Sequence, residues 1–177
     1  ITHEAGLAYV DLGATWTDTF DGNGTLATNG AVNVNALGVY VLTYDFTDAS
    51  GNAAFTVKRT VTVADTTAPV ITLIGNLNIT HEAGVAYFDL GATWTDSFDG
   101  NGTLATNGVV NVNALGVSVL TYDFTDAAGN AAFTVKRTVT VADTTAPVIT
   151  LNGDLNITHE AGVPYLDMGA TWTDTLD

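Results

Sequence analysis

The stretch VSVLTYDFTD, residues 117–126, alternates apolar and polar side chains. In an extended strand, successive side chains point to opposite faces, so Leu120, Tyr122 and Phe124 would share one face and the residues between them the other. Valine, threonine, tyrosine and phenylalanine alternate in the same way along most of the chain, and no window shows the roughly 3.6-residue apolar period of a helix. The chain is therefore predicted to be all-β.

This stretch belongs to an internal repeat. ITHEAG begins at residues 1, 79 and 157, a spacing of 78 residues, and residues 1–64 and 79–142 differ at only six positions. Self-similarity at such a period is typical of tandem repeat proteins. With Asp65 and Asp143 as boundaries, three domains are predicted, of which only the second is complete: 1–64, which lacks its first strand; 65–142; and 143–177, the N-terminal part of a third repeat.

Turns rich in glycine, asparagine and aspartate divide the complete repeat into seven predicted strands. These strands are 70–73, 78–82, 86–95, 103–106, 109–113, 117–125 and 131–141. Seven short strands in a 78-residue unit indicate a β-sandwich. Arg137 falls on an apolar face, so it would lie near a rim or pair with a carboxylate. The predicted core of the complete repeat includes four residues of its last strand: Phe133, Val135, Val139 and Val141. In the first repeat, the predicted core contains five aromatic residues: Tyr9, Trp16, Tyr44, Phe46 and Phe55.

Composition and motifs exclude several functions. Nineteen acidic and four basic residues give a formal net charge of -15, which repels nucleic acid and anionic membrane surfaces. No apolar run approaches the ~18 residues of a transmembrane helix, so no membrane insertion is predicted in this segment. The chain has no cysteine, and it contains neither a nucleophile motif nor a phosphate-binding loop. We therefore predict that it is not an enzyme.

Five motifs of the complete repeat occur in a characteristic order: DTTAPVITL, EAG, GATWTD, TYDFTDAAGNAA and RTVTVAD. In this order they resemble the bacterial surface immunoglobulin-like repeat, a relative of the hyalin repeat. The resemblance implies tandem immunoglobulin-like β-sandwiches of about seven strands. It also implies an extracellular or cell-surface location, because such repeats occur in secreted enzymes, adhesins and other surface proteins as spacers or interaction modules.

The acidic loop TDSFDGNGT, residues 95–103, raises the question of a metal site. It is not an EF-hand loop, because Asp96 and Asp99 are three residues apart and no glutamate closes the loop. In an immunoglobulin-like sandwich, however, this loop and the loop between the sixth and seventh strands lie at the same end as the incoming linker. That end would gather Asp65, Asp96, Asp99, Asn101, Asp126 and Asn130.

Glu4 of the preceding repeat would face the same junction. The corresponding residues around the next linker are Glu82, Asp143, Asp174 and Asp177. Because Ca²⁺ takes six to eight oxygen ligands, these side chains predict a calcium site between successive repeats. The alternative is that they are ordinary turn residues, since Asp and Asn accept local backbone hydrogen bonds in turns.

These observations predict an extracellular structural protein whose repeats form a cell-surface stalk or filament, rigidified by Ca²⁺ at the junctions. Its partners would be neighbouring repeats or copies of itself. The alternative is a carbohydrate- or cell-binding adhesion module of a larger secreted protein, with glycans or another cell surface as partners. The histidine in each THE motif is predicted to be a half-exposed strand residue and not a zinc ligand, because no cysteine or second histidine accompanies it.

Overall fold

The computed structural model describes residues 1–176, which contain thirteen β-strands and no helix. The strands are β1 (Thr2–Glu4), β2 (Ala14–Asp18), β3 (Gly22–Leu26), β4 (Gly38–Tyr44), β5 (Val57–Ala64), β6 (Val70–Leu73), β7 (Asn78–Glu82), β8 (Ala92–Asp96), β9 (Gly100–Leu104), β10 (Gly116–Tyr122), β11 (Val135–Ala142), β12 (Val148–Leu151) and β13 (Ala170–Thr173). The all-β prediction is confirmed. Accordingly, no helix in the described part of the chain could cross a membrane.

The chain divides into two compact units. The first contains residues 1–71, 93–102 and 123–133, and the second contains 72–92, 103–122 and the chain from Thr134 onward. The predicted repeat boundaries at Asp65 and Asp143 stay predictions.

In the first unit, β5 is the central strand of a sheet with the order β1–β5–β4, parallel to β1 and antiparallel to β4. The hairpin of β2 and β3 pairs Trp16 with Gly24. A Cβ at Gly24 would lie 2.6 Å from the indole Nε1 of Trp16, so only glycine fits beneath the ring. The buried side chains of these strands come from both β4 and β5: Leu42, Tyr44, Val61 and Val63.

The second repeat contains a sheet with the same connections, in the order β10–β11–β7, and a further sheet has the order β6–β8–β9. The remaining strands β12 and β13 form an antiparallel pair. Leu120 and Tyr122 are buried, as the alternation in VSVLTYDFTD predicted, and they are joined in the core by Val139 and Val141. Strands whose apolar residues recur every second position thus supply the core of both sheets.

Five predicted strands were wrong in position or existence. Two of them are shortened: the strand predicted at 117–125 ends at Tyr122, and the one predicted at 131–141 begins at Val135. The strand predicted at 86–95 begins only at Ala92, because Asp89 accepts a hydrogen bond from the Gly91 N–H at 2.7 Å and turns the chain there. The predicted strand 103–106 begins earlier, at Gly100. No strand forms at 109–113, and just before this stretch Asn107 forms an isolated bridge with Thr121 of β10. The predicted repeat 65–142 therefore contains six strands, β6 to β11.

Two predicted core residues were also wrong. Phe55 is 99% exposed and Phe133 is 94% exposed. Each lies between an isolated bridge and the start of the last strand of its repeat, so the regular alternation of faces does not extend to it. Trp16, by contrast, is half-buried and stacks on Phe46, with ring centroids 4.0 Å apart.

Candidate metal centre

Three aspartates from separate segments meet in the first compact unit. Asp65 directly follows β5, Asp96 is the last residue of β8, and Asp126 lies in the turn after β10. One carboxylate oxygen of each lies within 4.8 Å of the others. The structure thus brings together the linker and the two loops that topology predicted to share one end of the sandwich.

Asn130 fixes Asp126 in its turn. The Asn130 backbone N–H donates to Asp126 Oδ1 at 2.7 Å, and its side-chain Nδ2 donates to Asp126 Oδ2 at 2.8 Å. The same Nδ2 donates to the backbone carbonyl of Asp65 at 3.3 Å. Burial alone would raise the pKa of Asp126, but the hydrogen bonds from Asn130 and neighbouring backbone N–H groups hold it below its ordinary value. Asp126 is therefore a fixed carboxylate, and Asn130 joins its turn to the linker.

Asp96 is oriented by its own loop. Its Oδ1 accepts the backbone N–H groups of Phe98 at 2.7 Å and Asp99 at 2.9 Å, whereas its Oδ2 is buried without a hydrogen-bond partner. Asp99 joins this loop to the next one, because its Oδ2 accepts the Ala127 N–H at 2.9 Å. Local turn bonds therefore satisfy one oxygen of Asp96 and leave the other available.

Asp65 is the least compensated carboxylate of the group. It is 7% exposed; its Oδ1 accepts the Thr67 N–H at 3.3 Å, and its Oδ2 is buried without a partner. Burial, followed by repulsion from Asp96, Asp126 and Asp99, raises its pKa. Two buried carboxylate oxygens without partners, close to a third carboxylate, form a donor set that fits a hard divalent cation.

The first repeat has the same two loops. Asp18 Oδ1 accepts the N–H groups of Phe20 at 2.7 Å and Asp21 at 2.9 Å, as Asp96 does in the second repeat. Asp48 Oδ1 accepts the Asn52 N–H at 2.6 Å, as Asp126 does from Asn130. The two loops therefore have the same local geometry in both repeats, and in the second repeat Asp65 lies beside them.

Two other predicted ligands are not members of the group of three aspartates. The Glu4 carboxylate accepts hydrogen bonds from the Thr66 N–H at 3.1 Å, the Thr66 hydroxyl, and the Thr67 hydroxyl at 2.8 Å. The Thr66 and Thr67 hydroxyls lower the pKa of Glu4 to about 2. Asn101 is an exposed residue of β9. Glu4 reaches the predicted junction but bonds to the linker backbone and hydroxyls there.

The second linker repeats part of this geometry. Glu82 accepts the Thr144 N–H at 3.1 Å and also the Thr144 hydroxyl. Asp143 Oδ1 accepts the Thr145 N–H at 3.3 Å, and Asp174 Oδ1 accepts the Leu176 N–H at 3.2 Å. Asp143 is exposed, in contrast to Asp65. Asp177, the remaining predicted ligand, lies outside the described residues.

A buried ion pair was only half recognised from the sequence. The side chains of Arg137 and Asp89 are 1% and 8% exposed and form a salt bridge, so the carboxylate partner predicted for Arg137 exists. Asp89 also accepts the Tyr122 hydroxyl at 2.6 Å, and Arg137 Nε donates to the Asn76 carbonyl at 3.0 Å. Asp89 itself was not singled out. The available signal was the recurrence of tyrosine, aspartate and glycine at alternate positions, at 87–91 as at 9–13.

Glu4→Gln is expected to reduce the loss of stability in acid. Because the folded-state pKa of Glu4 is about 2, against an ordinary value of 4.5, its ionised form stabilises the fold above that ordinary value, and this contribution disappears as the pH falls towards 2. Urea unfolding in the presence of a chelator, from about pH 5 to about pH 2, should therefore show a shallower pH dependence in the variant. Glu160→Gln, which removes the same charge from an exposed position, is the control. Equal slopes in wild type and Glu4→Gln would contradict this expectation.

Comparison with known sequences places the repeats among surface proteins. A family profile described as "Bacterial surface protein, Ig-like domain" matches residues 1–63 and 71–141. The chain is 36% identical over 148 residues to hyalin of Lytechinus variegatus, covering 77% of this chain and 27% of that protein. It is 35% identical over 156 residues to hyalin of Strongylocentrotus purpuratus, covering 80% of this chain and 13% of that protein.

A third relative comes from a virus. The uncharacterized 81.3 kDa protein of Acholeplasma phage L2 is 34% identical over 123 residues, which are 66% of this chain and 16% of that protein. The chain thus spans less than a third of the length of each of these relatives. The sequence similarity therefore covers only a part of each relative.

Proposed function

The chain belongs to the family of immunoglobulin-like domains of bacterial surface proteins, and on this basis we propose that it is part of an extracellular stalk or filament rigidified by Ca²⁺ at its repeat junctions. The observation that carries the proposal is the group of Asp65, Asp96 and Asp126, with two buried carboxylate oxygens that lack partners. One of these oxygens belongs to the linker. A cation bound there would fix the linker to the two loops of the following domain.

The ionisable side chains outside this group support a structural role. Each histidine Nε2 lies about 3 Å from a backbone carbonyl four residues later, as His3 does from Leu7 at 3.0 Å. The His3 ring also contacts Tyr9 edge-on, with centroids 5.1 Å apart. These contacts hold the strand and its turn together. They also engage the histidine Nε2 in a local contact with the backbone. The family match and this use of the polar residues favour a non-enzymatic surface protein.

Calcium suits the site because of its charge and its ligands. Three carboxylates in one buried place repel each other, and a divalent cation removes most of that repulsion. Carboxylate oxygens are preferred by Ca²⁺, which tolerates irregular geometry and completes its shell with backbone carbonyls and water. Neighbouring repeats, or further copies of the chain, are the partners that such a stalk requires. A net charge of -15 disfavours close stacking of the repeats, and cations bound at the junctions would reduce that repulsion.

Calorimetric titration of the 177-residue chain with Ca²⁺ tests the site directly. Wild type is expected to bind Ca²⁺, and Asp126→Asn to weaken the affinity at least tenfold, on the order of the effect of losing one charged ligand (about 1.4 kcal/mol or more). Asp48→Asn is the matched control, because it makes the same change in the same turn of the first repeat, outside the group of three aspartates. Absence of binding in wild type, or equal weakening by both variants, would contradict the site.

Small-angle X-ray scattering of the same samples tests the rigidity. With Ca²⁺, we expect a narrow distribution of maximum dimensions; with a chelator, we expect a broader one, because the linker is then held by fewer contacts. Asp126→Asn should resemble the chelated wild type under both conditions. A distribution that does not respond to Ca²⁺, in a protein that binds it, would refute rigidification while leaving the cation site intact.

A further inference from the structure

We propose that Glu4 is a positioning residue, which clamps the linker so that Asp65 faces Asp96 and Asp126, and that Glu82 does the same for the second linker. The proposal rests on the proposed function, since it assigns how the same cation site is assembled. It differs from the sequence prediction, in which Glu4 and Glu82 were themselves ligands.

The contacts of Glu4 already engage both of its carboxylate oxygens. Oε1 accepts the Thr66 N–H at 3.1 Å and the Thr67 hydroxyl at 2.8 Å. Oε2 accepts the Thr66 hydroxyl, and lies 3.3 Å from the Thr66 N–H. Hydrogen bonds to an ionised carboxylate are about twice as strong as neutral ones. Glu4 would have to give up these bonds to become a ligand, whereas Asp65 and Asp96 each have an oxygen that is free and buried.

The clamp holds the backbone on one side of Asp65, and the sheet holds it on the other. Ala64 lies in β5 and is the register partner of Glu4 in the parallel pair with β1. Thr66 is bound by the Glu4 side chain. Asp65 therefore lies between two anchored residues, and its Oδ1 is fixed by the Thr67 N–H at 3.3 Å. The consequence is that Oδ2 remains available beside Asp96 and Asp126.

The turn after Glu4 also lies against the loop that carries Asp96. Gly6 has a φ of +75°, and a Cβ there would lie 3.3 Å from the Ser97 carbonyl oxygen, so glycine permits both the turn and the close approach. One short segment, from β1 to Gly6, thus contacts the linker through Glu4 and the Asp96 loop through Gly6. The preceding repeat thus sets the distance between the Asp65 and Asp96 carboxylates, although it supplies none of the three carboxylates of the site.

The same device occurs at the second linker. Glu82 is the register partner of Ala142, the residue before Asp143, and it accepts the N–H and hydroxyl of Thr144. Gly84 approaches the Thr175 carbonyl as Gly6 approaches that of Ser97: a Cβ there would lie 2.7 Å away. Two occurrences indicate that the clamp is a property of the repeat. Cation affinity at a junction then depends on the domain before it, which makes adjacent repeats a condition for the site.

The test combines amide hydrogen exchange with Tb³⁺ luminescence on the 177-residue chain. Tb³⁺ is a hard cation that takes oxygen ligands, and its luminescence lifetime reports how many water molecules it keeps when bound. The variants are Glu4→Ala, Glu4→Gln as the version most similar in shape, and Asp126→Asn as the comparison that removes a ligand. Exchange at Thr66 is measured in a chelator, so that it reports the linker without a cation.

A positioning role has a distinct signature. Glu4→Ala is expected to speed exchange at Thr66 about tenfold, to weaken Tb³⁺ binding about tenfold and to leave the number of bound waters unchanged; Glu4→Gln should show the same changes to a smaller degree. Asp126→Asn should increase the number of bound waters and leave Thr66 exchange as in wild type. A rise in bound waters in Glu4→Ala would make Glu4 a ligand and overturn the proposal, as would unchanged exchange at Thr66. If wild type binds no Tb³⁺, the proposed cation function fails, and Thr66 exchange alone decides whether the clamp exists.

Discussion

Replacing Arg137 with methionine is expected to lower the free energy of unfolding by about 3–5 kcal/mol. The guanidinium is almost fully buried, with a side chain that is 1% exposed, and it pairs with Asp89, whose side chain is 8% exposed. Methionine fills much of the volume but leaves the Asp89 carboxylate buried without its counter-charge. The cost therefore arises mainly from the unpaired carboxylate, and it should exceed that of most single substitutions in the chain.

The first repeat provides the control for this experiment. Arg59 pairs with Asp11 and lies over the Tyr44 ring, as Arg137 does over Tyr122, but its side chain is 32% exposed. The Asp11 side chain is 9% exposed, about as buried as Asp89, so the two sites differ in the exposure of the arginine. Arg59→Met should therefore destabilise the protein less, because solvent already screens the Arg59 charge and can enter the space that the guanidinium leaves. Urea unfolding of both variants measures the difference. Equal losses, or a loss below about 1 kcal/mol for Arg137→Met, would mean that the buried pair contributes little more than its packing.

The two-residue period of apolar side chains correctly predicted which residues are buried within the regular strands. It gave the wrong burial for residues beyond the strand ends. Leu120 and Val139 are buried where alternation places them, since a continuous ladder keeps every second side chain on the same face. Phe55 and Phe133 keep the same period in the sequence but are almost fully exposed. Each lies in an unpaired stretch between an isolated bridge and the last strand of its repeat. A two-residue period predicts which face a side chain occupies only while the strand pairing continues. Hydrophobicity alone could not show that interruption.

The missing strand at 109–113 has a similar cause. Three of its five residues are valines, which have high strand propensity, and Val109 is nevertheless 87% exposed. Gly108 passes close to β10, where a Cβ would lie 3.3 Å from both Leu120 Cδ2 and the Val119 carbonyl oxygen, but pairing is limited to one bridge at Asn107. Strand propensity describes how well a residue fits a sheet that already exists. It does not determine whether the neighbouring strand offers a free edge in register.

The candidate site was predicted at the level of topology and missed at the level of hydrogen bonds. Placing the loops at one end of an immunoglobulin-like sandwich was enough to associate Asp65, Asp96 and Asp126. The spacing of residues in the sequence could not reveal that both carboxylate oxygens of Glu4 accept hydrogen bonds from the linker threonines. Those bonds depend on the parallel pairing of β1 with β5. The pairing of Asp89 was missed for a related reason: the pattern of tyrosine, aspartate and glycine at 87–91 recurs at 9–13, but it does not indicate that the aspartate pairs with a residue 48 positions later.

Asp65→Asn is expected to change stability in opposite directions with and without Ca²⁺. In a chelator, the substitution removes a buried carboxylate that lies beside Asp96 and Asp126, while the asparagine Oδ1 can still accept the Thr67 N–H. The variant should then unfold at a higher temperature than wild type. At a Ca²⁺ concentration about 100 times the Kd, binding adds about 2.7 kcal/mol to wild type. The variant loses most of that increment, so the order of the two melting temperatures should reverse.

Thermal unfolding with Ca²⁺ and with a chelator measures this reversal, and Asp143→Asn is the control. Asp143 occupies the same position in the second linker but is exposed, so its carboxylate is hydrated and its removal should change the chelated protein little. Destabilisation by Asp65→Asn in the chelator would mean that the carboxylate contributes to the fold without a cation, as a turn residue does. Stabilisation there without any loss of the Ca²⁺ increment would place the bound cation elsewhere. Only the reversal requires that the three carboxylates, two of them buried and Asp96 half-buried, repel each other when empty and bind the cation together.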